Sequence, residues 1–231
     1  MQRQSEPQIV PFFALPPLLK PCYNTLPQKV TDTIWPRFST TSGQKAQTNG
    51  ETEMTNNERA RKIKMILMDV DGTLTDGTIL VFPDGEELKS YHVRDGMGIL
   101  MAHLVGLKTG IITGKSSRAL DKRATKLKID EVHQGILDKK KILEEICRRH
   151  RLTPEEVAYI GDDLGDLEVI KMVGFAGAVA DAHALVKQAS HFISSFRGGQ
   201  GAVREFIEFI LTAQERWPQI EEKLTELTKI K

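Results

Sequence analysis

From Ile63 onward the chain repeats one unit: a short apolar run, a polar turn, then a stretch with apolar residues at helical spacing. Such alternation predicts an α/β fold with a doubly wound, mostly parallel sheet. Strands are expected at Ile63–Asp69, Lys108–Ile112, Val132–Gln134, Val157–Ile160, Gly177–Ala180 and His191–Ser194. Helices are expected over 96–105, 116–127 (with Ser116 as cap), 138–150, 167–173, 182–188 and 202–217. The β-rich runs Thr78–Phe82 and Leu88–Val93 flank Pro83-Asp84-Gly85, which predicts a hairpin. His103 and His150 read as helix-surface residues. In such sheets ligands bind beyond the carboxyl ends of the strands.

Residues 1–53 have a different texture. Seven of the ten prolines fall in the first 36 residues, and Gln, Ser, Thr and Asn fill much of the rest. Proline removes backbone donors and blocks helix interiors, so this stretch is expected to have no core of its own. Three readings stay open: a disordered tail, a start assigned too early with Met54 or Met65 as first residue, or a targeting segment. Prolines interrupt the apolar stretch Ile9–Leu19, which argues against a secretory signal. The domain proper is expected over 54–231.

Composition narrows the function classes. Lys and Arg number 32 against 31 Asp and Glu, a net charge of +1. Residues 1–53 hold five bases and four acids, which leaves 27 of each for the rest. A neutral domain gives no electrostatic case for nucleic acid or an anionic membrane. No run of eighteen apolar residues occurs, so no membrane-spanning helix is expected. Cys22 and Cys147 lack metal-site spacing and read as thiols of a reducing compartment, which makes a cytoplasmic protein the expectation.

Four polar groups fall at or near strand ends. The first strand runs into Asp69-Val70-Asp71-Gly72-Thr73. Two carboxylates two residues apart repel, and a cation beside them would relieve that. The bland alternative is an Asx-type turn. Ile111-Ile112 leads to Thr113-Gly114, and Lys139 opens a helix. Ile160-Gly161 leads to Asp162-Asp163-Leu164-Gly165-Asp166, whose spacing does not suit an EF-hand.

Together and in this order, the four groups resemble the motifs of the haloacid dehalogenase-like phosphatase superfamily. The resemblance implies a Rossmann-like sheet and a Mg²⁺-dependent phosphomonoesterase. It implies that Asp69 is the nucleophile and that Asp71 protonates the leaving oxygen and then activates water. Asp69, the Asp71 backbone carbonyl and Asp162 would hold Mg²⁺. Thr113, Gly114 and Lys139 would hold the phosphoryl group, and Asp163 or Asp166 would support the metal shell.

Asp69 to Thr113 spans 44 positions and Thr113 to Asp162 spans 49. Predicted elements use both gaps, so neither holds a cap domain. The capless layout, with Val93-Arg94-Asp95-Gly96, Val179-Ala180-Asp181-Ala182-His183 and Gly198-Gly199-Gln200-Gly201, resembles the 3-deoxy-D-manno-octulosonate 8-phosphate phosphatase family. That family makes the inner sugar of bacterial lipopolysaccharide. The resemblance implies a homotetramer built on the hairpins, whose C-terminal segment can cover a neighbour's site. It also implies a pocket of Asp71, His92, Val93, Arg94, Asp95, Gly96, Lys115, Arg123 and Lys139 for a sugar-acid phosphate. Lys115 and Leu100 stand where arginine is expected in some relatives. Gly198, Gly199 and Gly201 suit either a helix cap or a mobile anion-closing flap. A nonulosonate (sialic acid) phosphate phosphatase, a non-catalytic tetramerisation module of the same fold and a protein phosphatase using the open site are the alternatives.

Overall fold

The computed structural model describes residues 54–229, which belong to one compact unit. The readings of residues 1–53 lie outside the described residues. Six parallel strands form the central sheet in the order β5-β4-β1-β6-β7-β8. They are β1 (Met65–Met68), β4 (Lys108–Ile112), β5 (Glu131–His133), β6 (Val157–Gly161), β7 (Phe175–Ala178) and β8 (Phe192–Ile193). β1, β6 and β7 are buried at every position, as expected of strands covered on both faces.

β1 lies between β4 and β6, with Met68 opposite Ile111 on one side and Ile160 on the other. The chain builds outward from β1 through β4 and β5, then crosses back to β6. Such a reversal opens a crevice at the carboxyl edge. Asp69 and Asp162 follow the two strands that meet there.

The hairpin is smaller than expected: β2 (Leu80–Val81) and β3 (Glu87–Leu88) pair antiparallel, and the chain then leaves the strand. Helix α2 (Val93–Leu104) starts three residues early, with His92 as N-cap. Asp95 explains the early start: it is 1% exposed, and its Oδ1 accepts from the Arg204 amide at 2.8 Å. This contact ties the first turn of α2 to the first turn of α7 (Ala202–Ala213), capped by Gly201. Ser117 rather than Ser116 caps α3 (Arg118–Leu127), without a side-chain bond. Asp138 caps α4 (Lys139–His150) by accepting from the Lys141 amide. β5 and β7 begin one and two residues before the expected positions; α5 (Leu167–Met172) and α6 (Ala184–Ala189) complete the alternation.

Two features depart from expectation more widely. Helix α1 (Asn56–Arg61) precedes the first strand, started by a capping box between Thr55 and Glu58. The last expected helix stops early: α7 ends at Ala213, Glu215 turns left-handed at φ 56°, and a further helix that was not expected, α8, runs Trp217–Lys229. Pro218 forces the break, because its ring cannot follow a continuous helical turn but fits a first turn. His103 and His150 are also not free surface groups. Their Nε2 atoms lie 2.7 Å from Thr109 Oγ1 and Glu131 Oε1.

Aromatic packing joins α7 to the sheet. Phe175 of β7 stacks on Phe206 with ring centroids 5.2 Å apart, and Phe209 lies 5.4 Å away. Aromatic pairs of this kind stabilise beyond their area. Phe206→Ala should therefore destabilise the fold by about 3–5 kcal/mol, read from urea denaturation. A loss below about 1 kcal/mol would mean α7 is held elsewhere.

Candidate active site

At the carboxyl edge of β1 and β6, one ammonium joins the acids. Lys139 Nζ donates to Asp69 Oδ1 and to Asp166 Oδ1, each at 2.7 Å. Lys139 is buried because α4 begins there and its side chain turns into the crevice. Carboxylate oxygens of Asp69, Asp162 and Asp166 lie within 4.8 Å of one another. Asp166 is fixed from three sides. Its Oδ1 accepts from Tyr159 Oη at 2.5 Å, and its Oδ2 accepts from the Asp162 and Asp163 amides at 2.9 and 3.2 Å. Asp162 Oδ1 accepts from the Thr73 hydroxyl at 2.8 Å. Gly72 permits this proximity, since a Cβ there would lie 2.1 Å from Asp162 Oδ2.

Burial and crowding set the electrostatics. Burial first, then the Asp166 charge, push the Asp69 carboxyl up to about 6, against the pull of Lys139. Burial likewise pushes Asp162 up to about 7, with Asp69 and Asp166 adding to it and Thr73 opposing. Burial alone would lower the Lys139 ammonium, but attraction to Asp69 and Asp166 outweighs it and holds the group above its usual range. The Tyr159 hydroxyl is raised by burial and by Asp166 and stays neutral.

The remaining expected residues divide into three groups. Thr113, buried, and Gly114, exposed, follow β4 beside β1. Thr113 is fixed by its amide, which donates to His133 O at 2.9 Å. Asp71 stands apart from the carboxylate cluster. Its Oδ1 takes the ammonium of Lys89, a residue just past β3 that sequence reasoning did not single out. Its Oδ2 is buried with no protein partner.

Next to Asp71 lies a second polar group. The Asp71 charge adds to burial in raising the Tyr91 phenol to about 12. Arg123 lies over the Tyr91 ring, 5.7 Å from its centroid, and packs on Gly96. Tyr91 Oη, His92 Nδ1, Asp95 Oδ2 and Arg123 Nε are buried without protein partners. Buried polar groups of this kind are paired by ligand or water. Val93, Arg94 and Lys115 are exposed. Asp163 does not join the carboxylates. It is exposed and caps the short turn Leu164–Asp166, accepting from the Leu164 amide at 2.8 Å.

The donor set fits a hard divalent cation. It is all oxygen, it gathers three acids against one lysine, and such crowding needs a cation to ionise fully. Sequence reasoning missed Tyr159, although a tyrosine inside a buried strand needs a partner for its hydroxyl and was a readable signal.

The fold and this edge define a haloacid dehalogenase-like hydrolase, and that family's model matches residues 128–207. The chain is 43% identical over 159 residues to the 3-deoxy-D-manno-octulosonate 8-phosphate phosphatase of Yersinia pestis, covering 69% of this chain and 85% of that one. It is 40% identical over 156 residues to the Escherichia coli (strain K12) enzyme of the same name, covering 68% and 83%. A crystal structure of the Moraxella catarrhalis phosphatase, in complex with a magnesium ion, a phosphate ion and a KDO molecule, superposes with a TM-score of 0.71 at 37% identity. The superposition covers 73% of this chain and 97% of that one. The chain belongs to the 3-deoxy-D-manno-octulosonate 8-phosphate phosphatase family.

Asp69 and Asp162 keep protons when folded at pH values where an unfolded chain has lost them. Their raised positions therefore make the metal-free fold less stable as pH rises from about 4 through the region of 6 to 7. A cation must displace those protons. The rise in Tm produced by a fixed Mg²⁺ concentration should grow from about pH 5 to about pH 8. A rise independent of pH would contradict cation binding at these carboxylates.

Proposed function

We propose that this chain hydrolyses 3-deoxy-D-manno-octulosonate 8-phosphate to the free sugar acid and phosphate, with Mg²⁺ held by Asp69, Asp162 and the Asp71 backbone carbonyl. The supporting observation is the set Asp69, Lys139, Asp162 and Asp166 at one strand edge, in a chain of this family. An Asp69 oxygen attacks phosphorus, and the bond from phosphorus to the sugar oxygen breaks. Asp71 gives its proton to the departing oxygen. Water then attacks the aspartyl-phosphate, Asp71 takes its proton, and Asp69 is released with inorganic phosphate. The cation offsets the charge of the carboxylates and of the phosphoryl oxygens.

Lys139 keeps Asp69 in a fixed rotamer and faces the transferring group with positive charge. Thr113 Oγ1 and the Gly114 amide complete the phosphate cradle. Asp166 works behind the metal carboxylates, because its oxygens are already used by Lys139, Tyr159 and two amides. His92, Val93, Arg94, Asp95, Gly96, Lys115 and Arg123 form the sugar-acid side. Arg94, Lys115 and Arg123 supply cations for its carboxylate. Lys115 is a point charge without a bidentate fork.

The assembly we infer is a homotetramer. Ile79, Leu80, Val81, Phe82 and Leu88 expose a run of apolar surface on a hairpin too small to be stable alone. Among the described residues no helix is long and apolar enough to cross a membrane. The free thiol of Cys147 suits a reducing cytoplasm, where lipopolysaccharide sugar synthesis would use this activity.

Asp69→Asn should lower phosphate release from the octulosonate ester by roughly 10³-fold or more, with folding unchanged by circular dichroism. Turnover of that ester at the parent rate would overturn the mechanism. Absence of turnover by the parent chain, with turnover of another sugar-acid phosphate, would overturn the substrate. Val81→Asp should shift the light-scattering mass from four chains to fewer, because it buries a charge in the proposed hairpin interface. An unchanged mass would move the interface elsewhere.

A further inference from the structure

The turn after β7 carries Asp181, which takes no part in the chemistry above. Its Oδ1 accepts from the Gly198 amide at 3.0 Å, and its Oδ2 accepts from Arg197 Nε at 3.1 Å. Gly198 is buried against the loop that carries Asp69 and Asp71: a Cβ there would lie 1.7 Å from Gly72 O and 3.0 Å from Thr75 O. Gly199, at φ +64°, donates to Thr73 O at 2.9 Å. The Thr73 hydroxyl in turn donates to Asp162 Oδ1. From the other side the His183 amide, two residues after Asp181, donates to Asp162 O at 2.7 Å. The contacts close a circuit: Asp181, Gly198 and Gly199, Thr73, Asp162, His183 and back.

In this arrangement the glycine segment braces the nucleophile loop. It fills the space behind the nucleophile loop with backbone, and any side chain at Gly198 would displace that loop. Segments 70–76, 162–166 and 197–201 are far apart in sequence, and Asp181 is the side chain that links the third to the turn after β7.

We infer that Asp181 is a positioning residue for the metal carboxylate Asp162, acting through Gly198 and Thr73. The inference rests on the reading that Asp69 and Asp162 hold Mg²⁺. The two contacts of Asp181 differ in weight. Arg197 and Asp181 have side chains 67% and 35% exposed, and an exposed ion pair contributes little. Gly198 is buried, so losing the acceptor for its amide leaves a buried donor unpaired and releases the brace. Thr73 then loses the amide on its carbonyl, and its hydroxyl no longer holds Asp162 in one orientation. Groups that orient a metal ligand from behind change metal affinity by about 10–100-fold when removed.

The test is isothermal calorimetry of Mg²⁺ binding to the full chain, metal-free at the start, with thermal unfolding of each variant at saturating Mg²⁺. Asp181→Ala should weaken Mg²⁺ binding by about 10–100-fold. Asp181→Asn, which keeps an acceptor for the Gly198 amide, and Arg197→Met, which removes only the exposed pair, should stay within about fivefold of the parent. The KM for the ester at saturating Mg²⁺ should be unchanged in all three, which a general loss of site structure would not allow. Unchanged Mg²⁺ binding in Asp181→Ala overturns the inference alone, as does equal weakening in Asp181→Asn. If Asp181→Ala does not fold, Asp181→Ser, whose shorter side chain cannot reach Gly198, replaces it with the same expected loss. Absence of Mg²⁺ binding by the parent chain overturns the metal reading and this inference with it.

Discussion

Three carboxylates cannot share a few ångströms of partly buried space without a cation, and the structure answers this with Lys139 between Asp69 and Asp166. At close range in a poorly solvated site, like charges repel by several kcal/mol. The rest of the molecule delivers these groups and prevents them from relaxing apart. β1 and β6 are neighbours, so the residues after them meet. The first residue of α4 brings the ammonium, and Tyr159 from inside β6 holds the far side of Asp166. Each group comes from an element whose apolar face is buried. Separating the charges would require unpacking the core.

The loops are held by the same logic at longer range. The nucleophile loop rests on the Gly198 segment, which precedes α7. α7 is seated on the sheet by Phe206 and tied to α2 by Asp95. Asp95 thus has a structural task beside its place among the expected substrate contacts. One buried carboxylate sets the start of two helices next to the site.

The sequence disclosed local features well and non-local ones poorly. Apolar runs marked the six strands of the sheet, and Asp69, Lys139 and Asp162 were visible because each sits at the end of such a run or the start of a helix. Ends slipped where a distant partner decides them: α2 starts at Val93 because Asp95 must reach Arg204 across the fold. Thr55 and Glu58 did signal α1, a legible rule left unapplied, and the helix that begins beside Pro218 was missed although proline suits a first turn. Asp163 and Asp166 could not be separated by spacing, since only the tight turn at Leu164 decides which one points inward. Lys89, Tyr91 and Asp181 matter only through contacts with residues many positions away, and no periodicity encodes those.

Charge connects the floor of the site to its rim. The domain is neutral, so attraction for an anion must arise locally. When ionised, Asp69, Asp71, Asp162 and Asp166 carry four negative charges, against two positive ones on Lys89 and Lys139. That floor repels a phosphate ester. A divalent cation brings it to neutrality, and in the proposed site Arg94, Lys115 and Arg123 would then supply the positive charge that meets the sugar acid. The cation thereby decides whether an anion can approach as well as how its phosphorus is attacked. If Asp162 holds that cation, as proposed, the loops that fix Asp162 govern substrate entry through the metal, even where they touch no substrate atom.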